Sequence, residues 1–116
     1  MHSTLKLTIM VIRRLYLPIY NLDEIRQAAT KQQIRYAGRK VSKDIANLGY
    51  TLQDVANSIV SLTLKDFKES VDYSEKSYDV YIKDVVRTEQ TDRIYMKLRL
   101  QENGEIKILE IGSFHL

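Results

Sequence analysis

Arg93-Ile94-Tyr95-Met96-Lys97-Leu98-Arg99-Leu100 is the stretch that decides the fold. Apolar and polar side chains alternate without a break, which is the period of a β-strand with one covered face. Ile94, Met96, Leu98 and Leu100 are predicted to face a core, with Arg93, Tyr95, Lys97 and Arg99 on the other side. Just upstream, Tyr78, Val80, Ile82 and Val86 alternate with Asp79, Tyr81, Lys83 and Arg87. The same rule predicts a neighbouring strand that adds Tyr81, Lys83 and Arg87 to the row of Tyr95.

Downstream, Asn103-Gly104 marks a hairpin, with Ile106 and Ile108 resuming the alternation. A two-residue loop would set Leu100 against Lys107. A three-residue loop with Gly104 left-handed sets Leu100 against Ile106 and Leu98 against Ile108, keeping apolar sets together, and is the predicted register. Glu110 interrupts the apolar positions and marks a place for a bulge near Leu109. Without a bulge, His115 shares the face of Lys107 and Tyr95. With one, Phe114 takes its place.

Before residue 70 the period is helical. Asn21 can cap a helix over about residues 22–31, with Glu24 at the third helical position and Leu22, Ile25 and Ala29 on one face. Residues 34–36 are a short extended segment. Val41, Ile45 and Leu48 define a second helix that stops at Gly49. Thr51-Leu-Gln-Asp54 opens a third, whose Leu52, Val55, Ala56, Ile59 and Val60 follow the helical template. Thr63-Leu-Lys-Asp66 starts a short helical turn. The predicted domain is therefore α+β, with N-terminal helices packed on one face of a C-terminal antiparallel sheet. Residues 1–17 form an N-terminal arm or extra strand, and residues 18–116 a single domain.

Composition bounds the function. At 116 residues with 44% hydrophobic and 28% charged side chains, the chain can build one core and is not disordered. It has no cysteine, which excludes disulfides and thiolate zinc sites. The apolar run over residues 7–12 is too short to span a bilayer and is followed by Arg13 and Arg14, so a strand or loose arm is expected rather than a membrane anchor or signal peptide. Residues 1–58 carry nine Lys and Arg against four Asp and Glu, while residues 59–116 carry nine against eleven. This basic half suits a polyanion partner.

The two histidines, His2 and His115, stand at opposite ends with no carboxylate cluster beside them, so no metal site is predicted. The helix pair around Gly49 offers Gln53, Asp54 and Asn57 but no Lys or Arg on its second helix, a poor reader of DNA. The basic residues Lys31, Arg35, Arg39 and Lys43 cross a turn and need not share a face. The row Arg93, Tyr95, Lys97 and Arg99, joined by Tyr81, Lys83 and Arg87, is either a solvated strand face or a surface for phosphates and stacked bases. Metal-free cleavage of RNA suits such a set. The 2′-hydroxyl is the nucleophile, and Tyr, Lys, Arg and His can move protons and offset charge on phosphorus.

Several segments also resemble one family. Leu48-Gly-Tyr50, Asp54-Val55 through Ser61-Leu62, Lys65-Asp66-Phe67 and Ser70 resemble the helix pair and following motif of MqsR-type toxins. Asp79-Val80-Tyr81, Ile94-Tyr95-Met96-Lys97-Leu98 and Ser113-Phe114-His115 are similar to its D-V-Y, Y-x-K and terminal S-F-K segments, and Pro18-Ile-Tyr20-Asn-Leu22 through Ile25 to an N-terminal segment of some members. The resemblance runs from about residue 18 to the end. It implies a RelE-like ribonuclease fold, cytoplasmic cleavage of mRNA without a cofactor, and inhibition by an MqsA-like antitoxin protein. Of the family's four active-site positions, Tyr95 is retained. The others read Glu69 (with Lys68 one residue earlier), Tyr78 and His115. The implied catalytic set is Tyr95, His115, Lys68 and Tyr78, with RNA bound by Tyr81, Lys83, Arg87, Arg93, Lys97 and Arg99. Cations around Tyr95 are expected to lower its hydroxyl pKa. The alternative is a non-catalytic relative that binds RNA or a protein with the same fold.

Overall fold

A computed structural model describes residues 11–116. In chain order these form β1 (Val11–Leu15), α1 (Leu22–Thr30), β2 (Ile34–Tyr36), α2 (Arg39–Leu48), α3 (Leu52–Val60), a 3-10 turn (Leu64–Asp66), β3 (Phe67–Tyr73), β4 (Ser77–Val86), β5 (Thr91–Asn103) and β6 (Ile106–His115). The architecture is α+β: three helices and a six-stranded mixed sheet, ordered β1-β3-β4-β5-β6-β2. All neighbours are antiparallel except β2, which lies parallel to β6. The strand or arm predicted over residues 7–12 lies mostly outside the described residues; β1 begins at Val11 and pairs with β3.

The helices begin and end where local chemistry directs. The Asn21 side chain accepts the Glu24 N–H at 3.0 Å. Glu24 does not close the reciprocal box. It turns to Lys107 on β6, 2.6 Å away. Thr51 and Asp54 do form a complete capping box, and Gly49 ends α2 at φ 79°, a left-handed conformation that favours glycine. Their apolar faces meet the sheet in one core. Ile25, Ala29, Ile45, Val55 and Ile59 pack with Tyr81, Ile94, Met96, Leu98, Leu109, Ile111 and Phe114. Leu100 lies at its edge, partly buried.

β3 was not expected from the alternation, and it supplies a second, smaller cluster. Val71 packs with Tyr78 and Val80, flanked by Tyr73 and Tyr95. This reverses the predicted facing of β4. Asp79 pairs with Leu98 and Tyr81 with Met96, so Tyr81 enters the helix-side core while Tyr78 and Val80 join the side of Tyr95. Both parities of β4 carry aromatic or branched side chains, so alternation alone could not choose between them. Tyr81 stacks edge-on against Phe67, 5.6 Å between ring centres. Asp79 is buried to accept the backbone N–H groups of Ile19 and Tyr20 at 2.9 Å each. The conformation of the chain leading into α1 is thereby tied to β4.

The β5–β6 register also differs from the predicted one. Asn103 pairs with Ile106 across a two-residue turn, Gly104-Glu105, with Gly104 at φ 68°. Leu100 therefore meets Leu109, and Leu98 meets Ile111. Apolar residues occur at both parities of β6, and an odd shift in register moved the inward set from Ile106 and Ile108 to Leu109 and Ile111. The bulge lies at Gly112 rather than near Leu109, between the Lys97–Ser113 and Leu98–Ile111 pairs. Lys107 consequently lies on the helix side against Glu24, and Phe114 enters the core.

Candidate active site and nucleic-acid interface

The bulge at Gly112 has a chemical result: His115 stands directly across from Tyr95. Their rings stack at 5.3 Å with an interplanar angle of 20°. The alternation of β6 predicts this meeting only for an unbulged strand. In the observed register the extra residue is what returns His115 to that side after Ile111 has faced the core. The His115 Nδ1 also lies 2.9 Å from the Leu116 carbonyl.

Tyr95 is half-buried, and burial raises its hydroxyl pKa above the ordinary 10.0. Lys97 and Arg14 act in the opposite direction, while Tyr73 and Glu69 reinforce the rise. The expected lowering does not occur. Of the cations predicted around it only Lys97 contributes, and Arg99 lies against Glu110 instead. The phenol stays protonated at neutral pH and is a donor.

Around this pair the sheet carries fixed charges. Lys97 donates to the Tyr73 hydroxyl and lies 5.0 Å from the centre of its ring. Arg14 of β1 pairs with the largely buried Glu69 at 2.7 Å. Glu110 has no exposed surface, yet its pKa is about 2. Burial alone would raise it. Hydrogen bonds from Tyr78, Arg35 and Lys76 overcome that penalty. Arg99 stands directly opposite Glu110 on β5, and Arg35 on β2. Side chains from β2, β4 and β5, with Lys76 from the β3–β4 turn, thus converge on one carboxylate of β6.

The predicted site residues divide. Tyr95, His115, Lys97, Arg99 and Tyr78 come to one side of the sheet, with Arg93 exposed at its end. Tyr81, Lys83 and Arg87 do not join them. Tyr81 is in the core, Lys83 faces Asp66 at 3.6 Å, and Arg87 covers the Tyr50 ring at 4.6 Å while donating to the Leu48 carbonyl. Lys68 is the extra residue of a bulge between Phe67 and Glu69. It is exposed and makes no hydrogen bond or ion pair among the described residues. Glu69, the next residue, instead acts on the Tyr95 hydroxyl through its charge while paired with Arg14. The Tyr78 hydroxyl donates to Glu110, and burial drives its pKa upward, so its proton is held. Of the basic run 31–43, Arg35 reaches Glu110, while Lys31, Arg39 and Lys43 are exposed.

Against this geometry, a family model described as "Motility quorum-sensing regulator, toxin of MqsA" matches residues 17–115. The chain belongs to the MqsR toxin family. Membership makes it the toxin of a toxin–antitoxin system, and the family description names MqsA as the antitoxin partner. No curated protein matches the chain significantly. The MqsR match begins at Leu17, so β1 with Arg14 precedes it.

The matched segments explain themselves physically in this MqsR toxin. Pro18–Tyr20, Ser70 and Asp79 meet at one hydrogen-bonded junction: Ser70 Oγ contacts both Asp79 and the Leu17 carbonyl, and Tyr20 Oη donates to the Ser77 carbonyl at 2.8 Å. Sequence reasoning missed Glu110, Arg35, Lys76 and Tyr73 as parts of the site. Glu110 left a signal as a charge among apolar neighbours, and Arg35 as one member of the basic run from Lys31 to Lys43. Among the described residues no three His, Asp or Glu side chains gather as a metal cluster, and no helix is long and apolar enough to cross a membrane.

Proposed function

We propose that this toxin is a metal-independent endoribonuclease that cleaves mRNA in the cytoplasm, using a RelE-like domain whose helices cover one sheet face and whose other face takes RNA. The observation that carries this reading is the stacked Tyr95–His115 pair, flanked by Lys97 on the side of the sheet away from the helix-packed core.

In this reading the RNA 2′-oxygen forms a bond to phosphorus as His115 takes its proton. The bond from phosphorus to the 5′-oxygen breaks, and the Tyr95 phenol donates a hydrogen bond or proton to that leaving oxygen. Lys97 offsets the extra charge on phosphorus. The products are a 2′,3′-cyclic phosphate and a 5′-hydroxyl. A neutral phenol suits donation, which fits the raised Tyr95 pKa. Lys68 and Arg93 remain exposed cations for the RNA backbone.

The test is cleavage of purified RNA in EDTA by the wild type, Tyr95→Phe and His115→Ala, after circular dichroism shows that all three fold. Each variant is expected to lose at least about 10²-fold in rate. Wild-type rates in both would refute the assignment, and no cleavage by the wild type would favour a non-catalytic binding protein.

A further inference from the structure

Beside Tyr95 the sheet carries a cavity of about 320 Å³, lined by Tyr73, Ser74, Glu75, Lys76, Tyr78, Lys97 and Gly112. It is open to solvent at the β3–β4 turn, and two of its lining residues, Tyr73 and Lys97, neighbour the proposed reaction centre. Tyr73 packs in the same cluster as Tyr95, and Lys97 is two residues along the same strand face.

Its walls are aromatic and held in place. The Tyr73 and Tyr78 rings meet edge to face, 6.2 Å between centres at 77°. The Tyr73 hydroxyl is bound by Lys97, and the Tyr78 hydroxyl by the buried Glu110. Lys76 pairs with the same Glu110 at 3.1 Å. The floor requires Gly112, since a Cβ there would lie 2.6 Å from the Tyr78 ring. Glu75 differs from its neighbours. It is exposed at the rim and makes no ion pair or hydrogen bond among the described residues.

Fixed aromatic walls between two lysines suit a flat, π-faced ring attached to a phosphate chain. A free carboxylate at the rim suits a ring edge with an N–H donor, as in carboxylate recognition of the cytosine amine. We infer that this cavity is a nucleobase subsite, taking the base next to the cleaved phosphate, with Glu75 accepting a hydrogen bond from that base's exocyclic amine. The inference rests on the ribonuclease reading for its ligand class, RNA.

Cytosine and uracil make a clean pair of probes. They have the same size, but the cytosine amine is a carbonyl in uracil, and uracil's one ring N–H is flanked by two oxygens that repel a carboxylate. The full chain is titrated with 2′-O-methyl hexacytidine and hexauridine, which cannot be cleaved because the attacking hydroxyl is blocked. The wild type is expected to prefer hexacytidine roughly tenfold, the size of one charge-assisted hydrogen bond. Glu75→Ala, at an exposed position, is expected to abolish the preference. Tyr73→Leu is expected to weaken both hexamers alike. Equal wild-type affinities, no binding, or a preference that survives Glu75→Ala would overturn the subsite. Cleavage of unmodified RNA is scored separately. Cleavage without base discrimination sinks the subsite alone, and discrimination without cleavage sinks the nuclease reading alone.

Discussion

Replacing Glu110 with glutamine tests the electrostatic framework on which the site is built. The wild-type carboxylate is fully buried and faces Arg35, Lys76 and Arg99, with the Tyr78 hydroxyl donating to it. Its pKa falls from an ordinary 4.5 to about 2. A depressed carboxyl pKa means that the folded state binds its proton less readily than the unfolded chain. The resulting stabilisation is complete above pH 4.5 and disappears as pH falls toward 2. By linkage it amounts to roughly 3 kcal/mol at neutral pH. An independent estimate agrees, because removing one partner of a buried ion pair costs about 3–5 kcal/mol. Urea unfolding of the wild type and Glu110→Gln should therefore differ by about 3 kcal/mol at pH 7, and the gap should close steadily between pH 4.5 and 2. A gap below about 1 kcal/mol at pH 7, the size of an exposed pair, would refute the reasoning. So would a gap that does not change with pH.

Gly112→Ala places a methyl group 2.6 Å from the Tyr78 ring, whose hydroxyl is tied to Glu110. It should cost about 1–3 kcal/mol as overpacking, read by thermal unfolding, and should shift the Tyr78 ring signals in NMR spectra; an unchanged melting temperature would argue against the close approach. Tyr81 carries a buried hydroxyl with no hydrogen-bond partner among the described residues, and burial pushes its pKa up to about 12. Tyr81→Phe removes an unsatisfied group, so stability should be equal or higher by up to about 1 kcal/mol, and a clear loss in urea unfolding would show that the hydroxyl has a partner in solution.

Local chemistry was legible without a structure. The Thr51–Asp54 box, the Gly49 stop, the short extended segment at Ile34–Tyr36 and the strand centred on Tyr95 each follow from residues within a few positions of one another. Such signals need only propensity, capping and periodicity, which act over one or two turns. The family was equally legible, since motif order and spacing are properties of the chain itself. β3 was missed because Glu69, Ser70 and Asp72 break any simple alternation, and their burial depends on partners far away in sequence: Arg14, Asp79 and Ser77.

The class of elements, the family and the residue types available for chemistry are all written in the linear chain. Which of those residues meet was decided only in three dimensions. Strand side chains have a period of two, so one bulge at Gly112 and an odd shift in the β5–β6 register settle whether His115 reaches Tyr95. The facing of β4 likewise sent Tyr81 into the core and Tyr78 to Glu110. No local pattern carries that information, because it follows from the packing of whole faces. The same tertiary arrangement turned Glu110, apparently an interruption of an apolar strand, into the buried anion that holds Arg35, Lys76 and Arg99 together.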